Sequence, residues 1–241
     1  MDRLNSLFVA DTVAKSSTIR HFEFNTLPAP AQKYLCHAIK DNAAPATAVH
    51  LRMTGEIKLK GWLPFTAEQV VHIDHGFIWK ARVKSGLMMI SGFDQYLDGV
   101  GECKWKMFGL ISVKSADGPD ISRSSQGRFA IEQVLLPSAL FCHGHEWGGS
   151  AEVATCRTEA GRLSLRLGPI GNLESVSMNR WGNPGGGAFR LEPFGAIIEQ
   201  ETTFGDYTIP SKLRVGWGFG TSEFEEGEFF RCTITSAEFR S

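Results

Sequence analysis

The chain has 241 residues, with 25 Lys/Arg against 26 Asp/Glu and a formal net charge of −1. A chain of this length buries roughly 70% of its unfolded surface, so its fold needs no metal or disulfide staple. No basic block is present, which argues against a phosphate-backbone partner, and no run approaches the ~18 apolar residues of a membrane span.

Residues 1–26 lack sustained periodicity and read as a short helix or N-terminal arm, without the apolar core of a signal peptide. A helix is predicted over 27–41. Prolines 28 and 30 sit at its opening, where a missing N–H costs nothing, and Ala31, Tyr34, Leu35, Ala38 and Ile39 form its apolar stripe. From about residue 47 the period becomes two: Val49, Leu51 and Met53 alternate with His50, Arg52 and Thr54. Turns at Gly61–Pro64 and Asp74–Gly76 then predict strands Phe65–Ile73 and Phe77–Val83 of an antiparallel meander. Leu87–Ile90, Phe93–Val100 and Cys103–Val113 continue it.

Residues 123–140 interrupt the strands as a helical insertion, with an N-cap expected near Ser122–Ser125; Pro137 either ends the helix or begins a second short turn through Ala139-Leu140-Phe141. Strands resume at Ala151–Thr158, Leu163–Leu167, Leu173–Arg180, Phe189–Phe204, Thr208–Trp217 and Glu228–Phe239. The glutamates at 223, 225, 226 and 228 are expected to form a solvated hairpin. The whole predicts one β-rich domain over 1–241. Its fold class is mainly β (α+β): a strongly curved antiparallel sheet or open barrel of about ten strands, with two or three helices covering the concave face.

Leu27-Pro28-Ala29-Pro30-Ala31-Gln32-Lys33-Tyr34-Leu35 resembles the LPxPxQ-[RK]-Y-L opening of an uncharacterised bacterial family, a domain of unknown function. The likeness continues through Gly61–Gln69 and Gly76–Val83, with weaker echoes at Tyr96–Gly101, Glu132–Ala139 and Asp206–Pro210. It implies an open β-barrel similar to the lipoprotein carriers of the bacterial envelope, and it brings no catalytic residues. The chain departs from the family pattern at Gly182–Gly187, which lacks an Arg/Tyr-rich segment, and in having no leading membrane anchor.

Large flat and flexible side chains suit the lining of an apolar cavity. The candidate ligand-binding residues are Trp62, Phe65, Trp79, Met88, Tyr96, Trp105, Phe141, Trp181 and Trp217; an ordinary core is the alternative. Asp94, Asp98 and Glu132 are the candidate catalytic carboxyls, since a carboxyl held in an apolar cavity gains a raised pKa suited to proton transfer. A wet turn next to Gly99 and Gly101 for Asp94 and Asp98, together with Glu102, and a solvent-facing helix position for Glu132 are the alternatives. Arg82 and Arg180 are candidates for pairing with a ligand carboxylate or with a neighbouring acid. Cys142-His143-Gly144-His145-Glu146 superficially resembles a metal motif but lacks a fixed third ligand, and His72 and His75 flank a turn; no metal and no cofactor are expected.

Five widely spaced cysteines without CxxC read as free thiols in a reducing, cytoplasmic setting. The expected partner is a hydrophobic small molecule, lipid-like, terpenoid-like or polyketide-like, and neither nucleic acid nor a membrane span is expected. Two functions remain open: a binding protein, or a cofactor-independent cyclase, isomerase or hydrolase using carboxyl or His chemistry.

Overall fold

In the computed structural model, residues 2–10 and 18–241 are described. The period-two segments form six strands before the helical insertion: β1 (Ala48–Lys58), β2 (Trp62–His72), β3 (Gly76–Ser85), β4 (Met88–Leu97), β5 (Val100–Met107) and β6 (Ile111–Ala116). Seven follow it: β7 (Glu146–Ser150), β8 (Val153–Thr158), β9 (Gly161–Leu167), β10 (Leu173–Gly182), β11 (Arg190–Phe204), β12 (Tyr207–Trp217) and β13 (Glu228–Arg240). The helices are α1 (Arg3–Phe8), α2 (Ala29–Ala38), α3 (Pro119–Glu132), α4 (Pro137–Cys142) and α5 (Phe224–Gly227).

All thirteen strands belong to one antiparallel sheet, in the order β6-β5-β4-β3-β2-β1-β13-β12-β11-β10-β9-β8-β7. Two meanders are thus joined where the last strand pairs with the first, Ala48 opposite Arg240 and Ile57 opposite Phe230. The sheet is open, with β6 and β7 as its edges.

The count exceeds the expected ten for local reasons. The segment 103–113 divides into β5 and β6 because Phe108 and Gly109 take positive φ (51° and 71°) and turn the chain. In the opposite sense, the two strands expected over 87–100 are the single strand β4. Gly92 does not break it: a Cβ there would lie 2.5 Å from Cδ2 of Trp105, so the glycine leaves room for the indole ring. Residues 146–150 carry too little alternation to be read as a strand, yet they pair with β8.

Helix α3 starts earlier than the serines suggested. Gly118, at φ 98°, reverses the chain, and Pro119 supplies the preset φ of a first helical turn. The expected glutamate hairpin is instead the single turn α5, and Glu228, the first residue of β13, is buried at 1% exposure.

The position of α3 decides the architecture. It packs against β4 and β5 on one wing and against β9 and β10 on the other. β5 and β10 stand eight places apart in the sheet order. At ~4.8 Å per strand a flat sheet would separate them by roughly 38 Å, more than three helix diameters. Both wings must therefore turn toward the same helix. The core fills the space between: Leu51, Phe77, Trp79, Leu140, Leu165 and Ile209 belong to one buried cluster.

The helices do not all lie on that inner face. In β2 and β3, Phe65, Ala67, Val71, Phe77 and Trp79 face the main core, whereas Val70 and Ile78 form a second small cluster with Leu4 and Leu7 of α1. Alternation places these two sets on opposite faces, so α1 covers the outside of the sheet.

Candidate functional site

Between α3 and the inner face lies a cavity of about 240 Å³. Its floor comes from every second residue of four central strands: Met53 and Ile57 of β1, Phe230, Cys232 and Ile234 of β13, Leu213, Val215 and Trp217 of β12, and Phe194, Ala196 and Ile198 of β11. Ile131, Val134 and Leu135, at the end of α3 and just beyond it, form the roof.

Five polar residues interrupt this apolar lining: Gln69, Asp94, Arg128, Glu132 and Arg180. Arg128 is the hub of four of them. Its Nε donates to Glu132 Oε1 at 2.7 Å and its Nη1 to Asp94 Oδ2 at 3.1 Å. Gln69 donates to Glu132 Oε2 at 2.6 Å, and the Trp105 indole donates to Asp94 Oδ1 at 2.9 Å. The Arg128 guanidinium also lies over the rings of Phe77 (4.6 Å) and Trp79 (5.3 Å). Burial works against the Arg128 charge, but Glu132 and then Asp94 outweigh it and hold its pKa above the ordinary value.

Arg180 is held differently. Its Nε donates to the carbonyl of Ser124 (3.0 Å) and its Nη2 to the Ser124 hydroxyl (3.3 Å). Its guanidinium stacks over Phe194 (4.5 Å) and Trp217 (5.2 Å). Among the described residues no carboxylate lies within ion-pair distance of it. Burial, and then repulsion from Arg128, pull its pKa down to about 9, so it remains a cation at neutral pH. Gly127 makes this packing possible: a Cβ there would sit 2.9 Å from Cγ of Arg180.

The structure separates the residues singled out in the sequence. Trp79 and Trp217 line the cavity, as do Asp94 and Glu132. Phe65 packs under it, stacked on Phe230 at 5.0 Å, and Trp105 lies beside Trp79 at 5.6 Å. The others do not reach it. Trp62 lies under the Arg231 guanidinium, and Phe141 meets Phe24 edge-on at 4.9 Å. Trp181, of opposite parity to Arg180, lies outside the cavity at the start of α3, where Arg123 stacks on it at 3.8 Å and Asp120 accepts from its indole at 2.8 Å. Met88 ends a hairpin and is 45% exposed.

Asp98 and Tyr96 belong to a second cleft, of about 690 Å³, together with His75, His143, His145 and Glu159. Asp98 occupies a turn at φ 48° and bonds His75 at 2.8 Å, so it is far from serving the same site as Asp94. His143 and His145 stand edge to face at 5.4 Å. Among the described residues no three His, Cys, Asp or Glu side chains converge as metal ligands.

Two members of the cavity network were not singled out in the sequence, though signals for them existed. Gln69 shares the inward parity of Phe65, Ala67 and Val71, a polar residue in an apolar row. Arg128 stands four residues before Glu132, the spacing of a helical ion pair.

A search of curated proteins found no match. Among solved structures, a LolA superfamily protein from Nitrosomonas europaea is similar at 8% identity and a TM-score of 0.45, over 88% of this chain and 93% of that one. A DUF1329 family protein from Desulfovibrio piger is similar at 8% identity and a TM-score of 0.45, over 80% of this chain and 86% of that one. The family model for DUF6920, a family of unknown function, matches residues 25–239, and the chain belongs to that family.

Proposed function

We propose that the protein binds one amphipathic small molecule, its apolar chain in the cavity and an anionic or hydrogen-bond-accepting head at Arg180 and Trp79. The observation that carries this reading is a cation without a carboxylate and a donor without an acceptor in one apolar chamber. Arg180 has neutral partners only, and Nε1 of Trp79, a residue 3% exposed, is buried with no partner at all. A buried donor left unmade costs about 1–3 kcal/mol, and a bound acceptor would remove that cost. The volume of about 240 Å³, just below the range of drug-sized sites, suits a single slender chain.

The enzyme reading draws less support. Asp94 and Glu132 each already accept from Arg128 and from one neutral donor, so neither stands free to take or give a proton. A cytoplasmic setting is part of the proposal and rests on the five free thiols, of which burial pushes Cys156 and Cys232 up to about 12.

The test is displacement of a neutral apolar dye, Nile red, by dodecanoate, dodecyl phosphate and dodecanol. All three are expected to compete, with one of the anions at least tenfold better than the alcohol, and Arg180→Gln should remove most of that advantage. Equal competition by all three sinks the head-group assignment and leaves the cavity standing. No saturable dye binding sinks both.

A further inference from the structure

A different part of the molecule carries a second binding property, independent of what the cavity holds. Successive strands β1 to β6 are antiparallel neighbours, so the hairpin tips β1–β2, β3–β4 and β5–β6 project from the same end of this wing. The pairing keeps two of them level: Ile90 lies opposite Met107, and Phe108 N donates to Met89 O at 2.9 Å, so the second and third tips end together.

These tips are apolar where the rest of the surface is not. Among the described residues thirteen large hydrophobic side chains are exposed, and eight of them belong to these hairpins. Leu87 (101% exposed), Leu110 (85%), Ile111 (58%), Phe108 (56%) and Leu59 (56%) are the most prominent. Single exposed apolar side chains need no explanation, but a contiguous set marks a contact surface.

The charge around the second and third tips has one sign. Lys60, Lys84, Lys106 and Lys114 are exposed, and none has an ion-pair partner among the described residues. No Asp or Glu occurs in 57–67, 75–93 or 103–116. The nearest acids at this end, Glu223, Glu225 and Glu226, belong to the loop before β13, which adjoins the first tip, where Lys58 Nζ donates to the Glu226 carbonyl at 3.0 Å, and not the second and third. A protein partner read by charge would be acidic, but the side chains between these lysines are aliphatic and aromatic. That combination fits a bilayer with anionic head groups, which takes apolar tips into its interface and lysines at its surface.

We propose that the tips of the β1–β2, β3–β4 and β5–β6 hairpins dock the protein on an anionic membrane surface. Leu87, Phe108 and Leu110 enter the interface, and Lys60, Lys84, Lys106 and Lys114 contact the lipid phosphates. The docking is peripheral and reversible, since three short tips bury far less apolar surface than a spanning segment.

The experiment is flotation of the intact chain with vesicles of phosphatidylcholine alone and of phosphatidylcholine mixed with phosphatidylglycerol. The protein should float with the mixed vesicles and not with the neutral ones, and added salt should release it. Leu87→Asp/Leu110→Asp should weaken binding at least tenfold. Each reversal among Lys84→Glu, Lys106→Glu and Lys114→Glu should weaken it about fivefold or more. All five positions are exposed, and unchanged melting temperatures would show that the variants fold. Binding that ignores phosphatidylglycerol, or that survives both sets of variants, overturns the proposal. So does a concentration-dependent dimer that the leucine variants abolish in a protein with no affinity for either vesicle, because the patch would then be a contact between two copies of the chain.

Discussion

Arg128→Met tests whether the polar network is what holds α3 between the wings of the sheet. The substitution keeps an unbranched stem in place but removes two charge-assisted hydrogen bonds, at 2.7 Å to Glu132 and 3.1 Å to Asp94. Each carboxylate would keep one neutral donor, Gln69 or Trp105. Both are mostly buried, with side-chain exposures of 18% for Glu132 and 31% for Asp94, so two like charges would face each other across an apolar chamber without their cation. Removing one partner of a buried ion pair costs about 3–5 kcal/mol, and the residual solvent access places the expectation near 3. Equilibrium urea denaturation followed by tryptophan fluorescence measures it. Adding Glu132→Gln to Arg128→Met should restore about half the loss at neutral pH. A cost under about 1 kcal/mol for the single variant would refute the reasoning, because the network would then be solvated rather than buried.

Gly127→Ala adds a methyl group against Cγ of Arg180 while improving helix propensity by about 0.5–1 kcal/mol. Stability should change little, yet discrimination between dodecanoate and dodecanol should fall severalfold as Arg180 is displaced; unchanged discrimination would place the head group elsewhere. Glu228→Gln leaves Arg214 and Arg231 without the carboxylate they share at 2.8 and 2.5 Å, and about 2 kcal/mol should be lost in urea denaturation. His72 and His145 have pKa values lowered mainly by burial and then by the neighbouring His75 and His143 respectively. Both are held neutral in the fold, so the unfolded chain binds more protons as pH falls below about 6.5, and stability should decline there until the depressed folded values are reached. His145→Gln should flatten the melting temperature between about pH 7 and pH 5; an unchanged slope would show that burial of this ring is not what the fold loses in acid.

Much of the molecule follows from local pattern. The stripe Ala31, Tyr34, Leu35 and Ala38 is buried on α2, and the alternation of β1 places Leu51 and Met53 inside with Arg52 and Thr54 outside. Those periods are properties of the chain itself, set by 3.6 residues per helical turn and two per strand repeat. The aromatic lining was only partly legible. Trp181 and Trp217 are alike in sequence, but adjacent residues of a strand face opposite ways, and only Trp217 shares the parity of Val215 and Leu213.

Which residues meet across the sheet was not legible at all. Asp94 and Asp98 lie four apart in sequence and serve different clefts, because the chain turns at Asp98. Asp94 of β4 and Arg180 of β10 line one cavity only because α3 bridges strands that stand far apart in the sheet. Sequence periodicity determined the elements and the inner and outer faces of each. The pairing of β13 with β1, and the helix closed over it, decided the cavity, since a contact between distant segments depends on register and curvature that no single segment encodes.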